Sequence, residues 1–215
     1  SAAMVKTLRG AFEEKGICLR DEDFLTPLWT EDRPPVPATP AWMLTKDQAG
    51  LSVREKLAAV REKLAAQKAG AMLVTRLDSV AWLLNLRASD IAYNPFALAY
   101  CLVEENTARL FINAARVPED VQAALKAQGV ELCGYEQARS ALAAMEGPAT
   151  VLYEPAGTSW AMLRALEENP AVTLQEGEEP VQALKGVKNE TEIARMKQAH
   201  RKDGAAMVRF EIELR

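Results

Sequence analysis

The 215-residue chain holds one histidine, His200, and three cysteines, Cys18, Cys101 and Cys133. A lone histidine cannot furnish a multi-histidine metal centre. Any Ser-His-Asp or Cys-His unit would have to be built around it. As a metal ligand His200 would need partners at close helical spacing, as in H-E-x-x-H, and Glu192 and Lys197 do not provide them. Asp203, three residues on, reads as a structural hydrogen-bond partner instead. The cysteines are widely spaced, odd in number and form no C-x-x-C pair, which argues against a disulfide framework or a zinc knuckle. A reducing cytoplasm is the default reading. Cys101 reads as a small hydrophobe in an apolar strand, and Cys133 has no evident cationic neighbour to activate its thiol. No apolar run reaches the length of a membrane span, and no charged-then-apolar leader is visible. The glycine-rich nucleotide loops and the G-x-S-x-G elbow are missing. With a net charge of −4 there is no basic surplus for nucleic acid.

What is present is an ordinary globular composition, 49% apolar, on a chain long enough to bury a core. Residues 4 to 15 have helical character. Five prolines, Pro27, Pro34, Pro35, Pro37 and Pro40, mark a strap or linker flanked by Trp29 and Trp42. Two tryptophans predict that the strap docks on something. Residues 52 to 69 predict a helix. Ser52 and Glu55 form a capping box, Val53, Leu57, Val60 and Leu64 make the apolar face, and Gly70 is the expected left-handed stop. Ala71 to Thr75 reads as a strand, followed by a short helix capped by Asp78 that carries Trp82 as a core anchor. Ala97 to Val103 and Thr107 to Ile112 form an expected hairpin. Helices and strands then alternate to Gln175, the pattern of an α/β fold with a mixed β-sheet flanked by helices. Asn189 and Glu192 resemble a second capping box, opening a helix that runs to Arg215 with no stop signal. Its stripe of Ile193, Met196, His200, Gly204, Met207 and Glu211 is apolar only in part, and a helix that reaches the chain end uncapped suggests a cut there, with its packing partner expected beyond the last residue.

Three stretches resemble one family, the aminopeptidase P group of Xaa-Pro metallopeptidases within the creatinase/prolidase superfamily, in its long three-domain form. They are L-W-T-E-D-R-P-P-V-P (Leu28 to Pro37), T-R-L-D-S-V-A-W-L-L-N-L-R-A-S-D-I-A-Y-N-P (Thr75 to Pro95) and the stretch from Leu184 to Asp203 that opens L-K-G-V-K-N-E-T-E-I. The resemblance implies three segments. Residues 1–50 would be the tail of a preceding domain and the strap, 51–185 a creatinase-like middle domain with a ribonuclease-H-like motif, and 186–215 the first helix of a truncated catalytic domain. The catalytic domain of that family has a "pita-bread" fold and holds two divalent metals, commonly manganese, on two Asp, one His and two Glu. Those ligands fall after the opening helix, so no catalytic or metal-binding residue is assigned in this chain. The implied parent is a cytoplasmic peptidase that releases N-terminal residues preceding proline from short peptides. It is expected to be a homodimer whose middle domain partners its own catalytic domain. The alternative is a binding or assembly module of a catalytically inactive or creatinase-like relative. A self-contained thiol or acid–base enzyme using Cys133, His200 and a carboxylate is the third reading.

Asn85, Arg87, Asp90 and Asn94 lie together in one polar stretch. On the functional reading this is a substrate-binding rim of Arg87, Tyr93 and Asn94, with Arg87 forking onto a substrate carboxylate. On the structural reading Arg87 pairs with Asp90, and Asn94-Pro95 makes a turn.

Overall fold

The strand from Ala71 to Val74 is buried at every position, and its side chains alternate between two cores. Met72 and Val74 face one, Ala71 and Leu73 the other, as the twofold period of a strand requires. The computed structural model describes residues 1–147 and 149–214. In chain order the elements are α1 (Ala2–Glu13), α2 (Leu25–Leu28), β1 (Trp42–Met43), α3 (Lys46–Ala49), α4 (Val53–Ala66), β2 (Ala71–Val74), α5 (Leu77–Leu83), β3 (Leu86–Arg87), β4 (Tyr100–Glu104) and β5 (Ala108–Phe111). There follow α6 (Glu119–Ala127), β6 (Val130–Cys133), α7 (Ala138–Ala143), β7 (Ala149–Tyr153), α8 (Trp160–Glu167), β8 (Val172–Glu176), α9 (Pro180–Gly186) and α10 (Glu190–Glu213).

Six strands form one mixed sheet in the order β6-β5-β4-β2-β7-β8. Strand β4 runs antiparallel to both β2 and β5, and the other neighbours are parallel. The five strands β5-β4-β2-β7-β8 therefore carry the ribonuclease-H-like order that the resemblance implies, with β6 added at one edge. Helices cover both faces. Val53, Leu57, Val60 and Leu64 of α4 pack with α5, α6 and α9 on one side, while α7 and α8 pack on the other. Burying each of these leucines contributes about 1.5–3 kcal/mol. A separate two-stranded ribbon joins β1 to β3, with Trp42 opposite Arg87.

The Ser52–Glu55 capping box forms as expected, but the stop after α4 does not use Gly70. Lys68 takes the left-handed conformation instead, at φ 59°, two residues before the glycine. The amide of Ala69 then returns to the Leu64 carbonyl at 2.9 Å, closing the helix end. Asp78 likewise is not the cap of α5: Arg76 holds that position, and Asp78 lies in the first turn, where its charge suits the helix dipole. The strap docks through its second half. Asp90 accepts from the Thr39 hydroxyl at 2.7 Å, the Ala41 amide reaches the Arg116 carbonyl at 2.9 Å, and Trp42 enters the ribbon. Trp29 remains 48% exposed.

Candidate functional site

The stretch L-D-S-V-A-W-L-L-N-L-R becomes a helix, a left-handed joint and a short strand. Asn85 sits at the joint with φ 51°, a conformation its short amide side chain tolerates better than most. It is buried, donates to the Leu51 carbonyl at 2.9 Å and accepts from Lys56 Nζ at 2.7 Å. Lys56 is 1% exposed and has a second acceptor, the Trp82 carbonyl, at 2.8 Å. Its ammonium also lies 4.2 Å from the centre of the Trp82 ring. Burial pulls the Lys56 pKa down to about 8, against the opposing pull of Glu192.

Trp82 packs against the main core as expected, but only in part. It is half-buried, and its indole N–H donates to Glu192 Oε1 at 2.9 Å. The other carboxylate oxygen of Glu192 accepts from the Asn189 amide at 2.9 Å, completing the capping box of α10. The Asn189 side chain in turn donates to the Ala49 carbonyl at 2.9 Å. One connected network therefore fixes the N-terminus of α10 against α3, α4 and α5. Beside it runs a groove of about 880 Å³ whose walls include Trp82, Leu184, Val187, Gln182, Glu154 and Glu179. Glu179 is 5% exposed, and burial raises its pKa to about 7. Sequence reasoning named neither Lys56 nor Glu179. The signal for Lys56 was its place on the apolar side of α4, one residue before Leu57.

The predicted rim is split by the structure. Arg87 turns inward, donating to the carbonyls of Ala81 and Leu86, and burial lowers its pKa despite nearby Glu192. The Arg87–Asp90 pair does not form. Asp90 pairs with Arg116, both side chains being almost fully buried, and also accepts from the Leu98 amide at 2.8 Å. The reason is register: Arg87 follows the β3 ribbon, whereas Asp90 reaches past the strap. Burial would raise the Asp90 pKa, but its hydrogen bonds, Arg116 first, hold it below the usual range. Tyr93 is fully exposed at φ 63°, and Asn94, also exposed, makes local bonds to Ile91, Ala92 and Phe96.

His200 lies exposed on α10. Cys101 is buried and its pKa is pushed up to about 12, while burial also raises that of Cys133. Among the described residues no group of three or more His, Cys, Asp or Glu stands where it could hold a metal ion. No helix among them is long and apolar enough to cross a membrane.

A helix-flanked mixed sheet of this order, with a long helix fastened to its motif-bearing joint, defines an α/β domain of the creatinase/prolidase N-terminal type. The family model for the Creatinase/Prolidase N-terminal domain matches residues 32–192, and the chain belongs to that family. It is 32% identical, over 98% of its length, to the "Probable Xaa-Pro aminopeptidase P" of Sordaria macrospora, covering 36% of that protein. It is 35% identical to the protein of the same name from Podospora anserina, over 88% of this chain and 29% of the relative. The crystal structure of the X-prolyl aminopeptidase from Caenorhabditis elegans, described as a cytosolic enzyme with a di-nuclear active site, matches 91% of this chain. The TM-score there is 0.80 at 31% identity, and the match spans 32% of the nematode chain. A prolidase from Pyrococcus horikoshii shares the fold, with TM-score 0.50 and 20% identity over 73% of this chain and 42% of its own. The chain thus spans about a third of the length of the curated relatives it matches. Among the described residues, its carboxylates and single histidine form no group that fits a di-nuclear centre.

Proposed function

We propose that this chain is a non-catalytic middle-domain fragment of a metal-dependent Xaa-Pro aminopeptidase, whose parent releases N-terminal residues preceding proline. Residues 1–50 are the tail of a preceding domain and its strap, 51–185 the middle domain, and 186–215 the opening helix of the catalytic domain. The two divalent metals of the parent, with manganese the expected ion, are held by residues outside this chain and supply its hydrolytic chemistry. The middle domain shapes the peptide cleft. Arg87, Tyr93 and Asn94 are its rim: Tyr93 and Asn94 stand outward, and Arg87 braces the ribbon behind them. Short peptides are the substrates, the active form is a homodimer, and the location is the cytoplasm, as described for the nematode relative.

The observation that supports this reading most directly is the Trp82–Glu192 hydrogen bond. It ties the family motif to the helix leading out of the matched region. The test compares the 215-residue chain with the same chain extended through its downstream coding sequence, using an Xaa-Pro peptide and added manganese. Turnover is expected only from the extended protein. Metal-dependent turnover by the 215 residues alone, or a gene that ends at Arg215, overturns the proposal.

A further inference from the structure

Far from the motif-bearing joint, α1, the segment after it and α8 enclose a pocket of about 410 Å³. That volume is within the range of small-molecule sites. Its apolar wall includes Val5, Leu8 and Trp160, and four arginines, Arg9, Arg20, Arg139 and Arg164, stand around it. Such a cluster is unexpected on a chain of net charge −4. Two acids, Asp21 and Glu168, share the lining, and Glu168 is already engaged by Arg164 at 3.1 Å. Among the described residues Arg9 and Arg139 form no ion pair. Arg20 has only a 3.9 Å approach to Glu22, with both side chains more than half exposed.

The Arg9 guanidinium lies 4.4 Å from the centre of the Trp160 ring. Stacking in this way holds the planar fork in place and leaves its N–H edge free for an acceptor. Arg139 comes from α7, a different element, so cations approach the pocket from more than one side. A guanidinium fork held on Trp160, with further arginines beside an apolar wall, suits an anionic group carried on an apolar body.

We propose that this pocket binds a small organic anion, with an aromatic or aliphatic body against Val5, Leu8 and Trp160 and a phosphate or carboxylate between Arg9 and Arg139. The body separates such a ligand from a free inorganic ion, which would use the arginines alone. Nothing in the proposal depends on the peptidase reading, since no residue of the pocket belongs to the Lys56–Glu192 network.

The test is titration of the 215-residue chain with phenyl phosphate, followed by tryptophan fluorescence and by amide NMR shifts, with inorganic phosphate and phenol as the comparison ligands. Saturable binding of phenyl phosphate is expected, with shifts centred on α1 and α8. Inorganic phosphate and phenol should each bind at least about tenfold more weakly. Arg139→Ala lies on an exposed position of α7 and is not expected to disturb folding. It should weaken phenyl phosphate by about tenfold, the loss of one charge-assisted fork. Arg9→Ala should do the same, with far-ultraviolet circular dichroism checking that α1 persists. Lys63→Ala, in the other groove, should change nothing. Absence of saturable binding, equal binding by Arg139→Ala and the unaltered chain, or inorganic phosphate binding as tightly as phenyl phosphate would each overturn the proposal.

Discussion

Trp82 and Glu192, 110 residues apart in sequence, meet through an indole N–H donating to a carboxylate oxygen at 2.9 Å. The same carboxylate caps α10, so one side chain both starts the helix and anchors it to the domain. Trp82→Phe keeps the ring beneath Lys56 and removes only the donor. A hydrogen bond to a charged group contributes about 1.5–3 kcal/mol when well shielded. The half-exposed site places the expected loss near the lower end. Amide exchange in the first turn of α10 should accelerate about tenfold, while that of β2 and β4 stays unchanged.

Gly50 tests the same joint from the other side. It has φ 78°, and a Cβ there would lie 2.4 Å from Asn189 Oδ1. Gly50→Ala must displace the Asn189 side chain that caps α10 and holds the Ala49 carbonyl. Adding the left-handed backbone penalty to a lost cap predicts a destabilisation of about 2 kcal/mol, measured by urea unfolding. Unchanged stability would mean that α10 does not depend on this cap.

Much of this architecture is legible in the sequence. The capping boxes at Ser52 and Asn189 are local and reciprocal, so the residues alone specify them. The apolar runs of β2 and β4 announce strands buried on both faces. Long-range polar choices are different. Asp90 has an arginine three residues away and another 26 residues away, and only the path of the strap decides for Arg116. Lys56 looks like a surface lysine until Asn85 adopts a left-handed joint and presents its amide oxygen. The stop after α4 departs from the glycine for a local reason: the chain places Lys68 in a conformation that usually favours glycine.

The Asp90–Arg116 pair should be costly to break. Both side chains are shielded from water, and Asp90 also holds Thr39 and the Leu98 amide. Arg116→Ala leaves a buried carboxylate without its main partner, an expected loss of about 3–5 kcal/mol. Asp90 is held below its ordinary pKa, so its contribution is present above the unfolded value and is lost as pH falls through the folded one. The acid limb of a thermal unfolding profile should therefore be shallower in Asp90→Asn than in the unaltered chain.

Glu179 and Lys56 give opposite slopes at higher pH. Glu179 ionises near 4.5 when unfolded and at about 7 when folded, because burial disfavours its charge. Between those values the folded chain binds more protons, so this residue's contribution falls as pH rises. Lys56 moves from 10.5 to about 8, so between those values the unfolded chain binds more protons and its contribution rises with pH. Glu179→Gln should remove the first slope, with an upper bound of about 3 kcal/mol across the window. Unfolding free energies measured on both sides of neutrality check both signs.

The exposed tyrosine at 93 offers a test of the peptide-cleft assignment. It stands fully in solvent with a left-handed backbone, on the turn closed by the Asn94 amide and the Ile91 carbonyl at 3.1 Å. An aromatic ring left in water gains nothing for folding, so Tyr93→Ala should leave stability within about 0.5 kcal/mol. In the proposed parent peptidase, by contrast, loss of a rim contact made equally to substrate and transition state raises KM and leaves kcat unchanged. Steady-state kinetics on an Xaa-Pro peptide should show KM raised about threefold to tenfold for Tyr93→Ala, the scale of one lost packing contact of about 1 kcal/mol. Tyr93→Phe should restore most of that loss, because the ring and not the hydroxyl makes the contact. Unchanged KM in Tyr93→Ala would remove Tyr93 from the cleft and leave the 85–95 stretch a purely structural clasp between ribbon and strap.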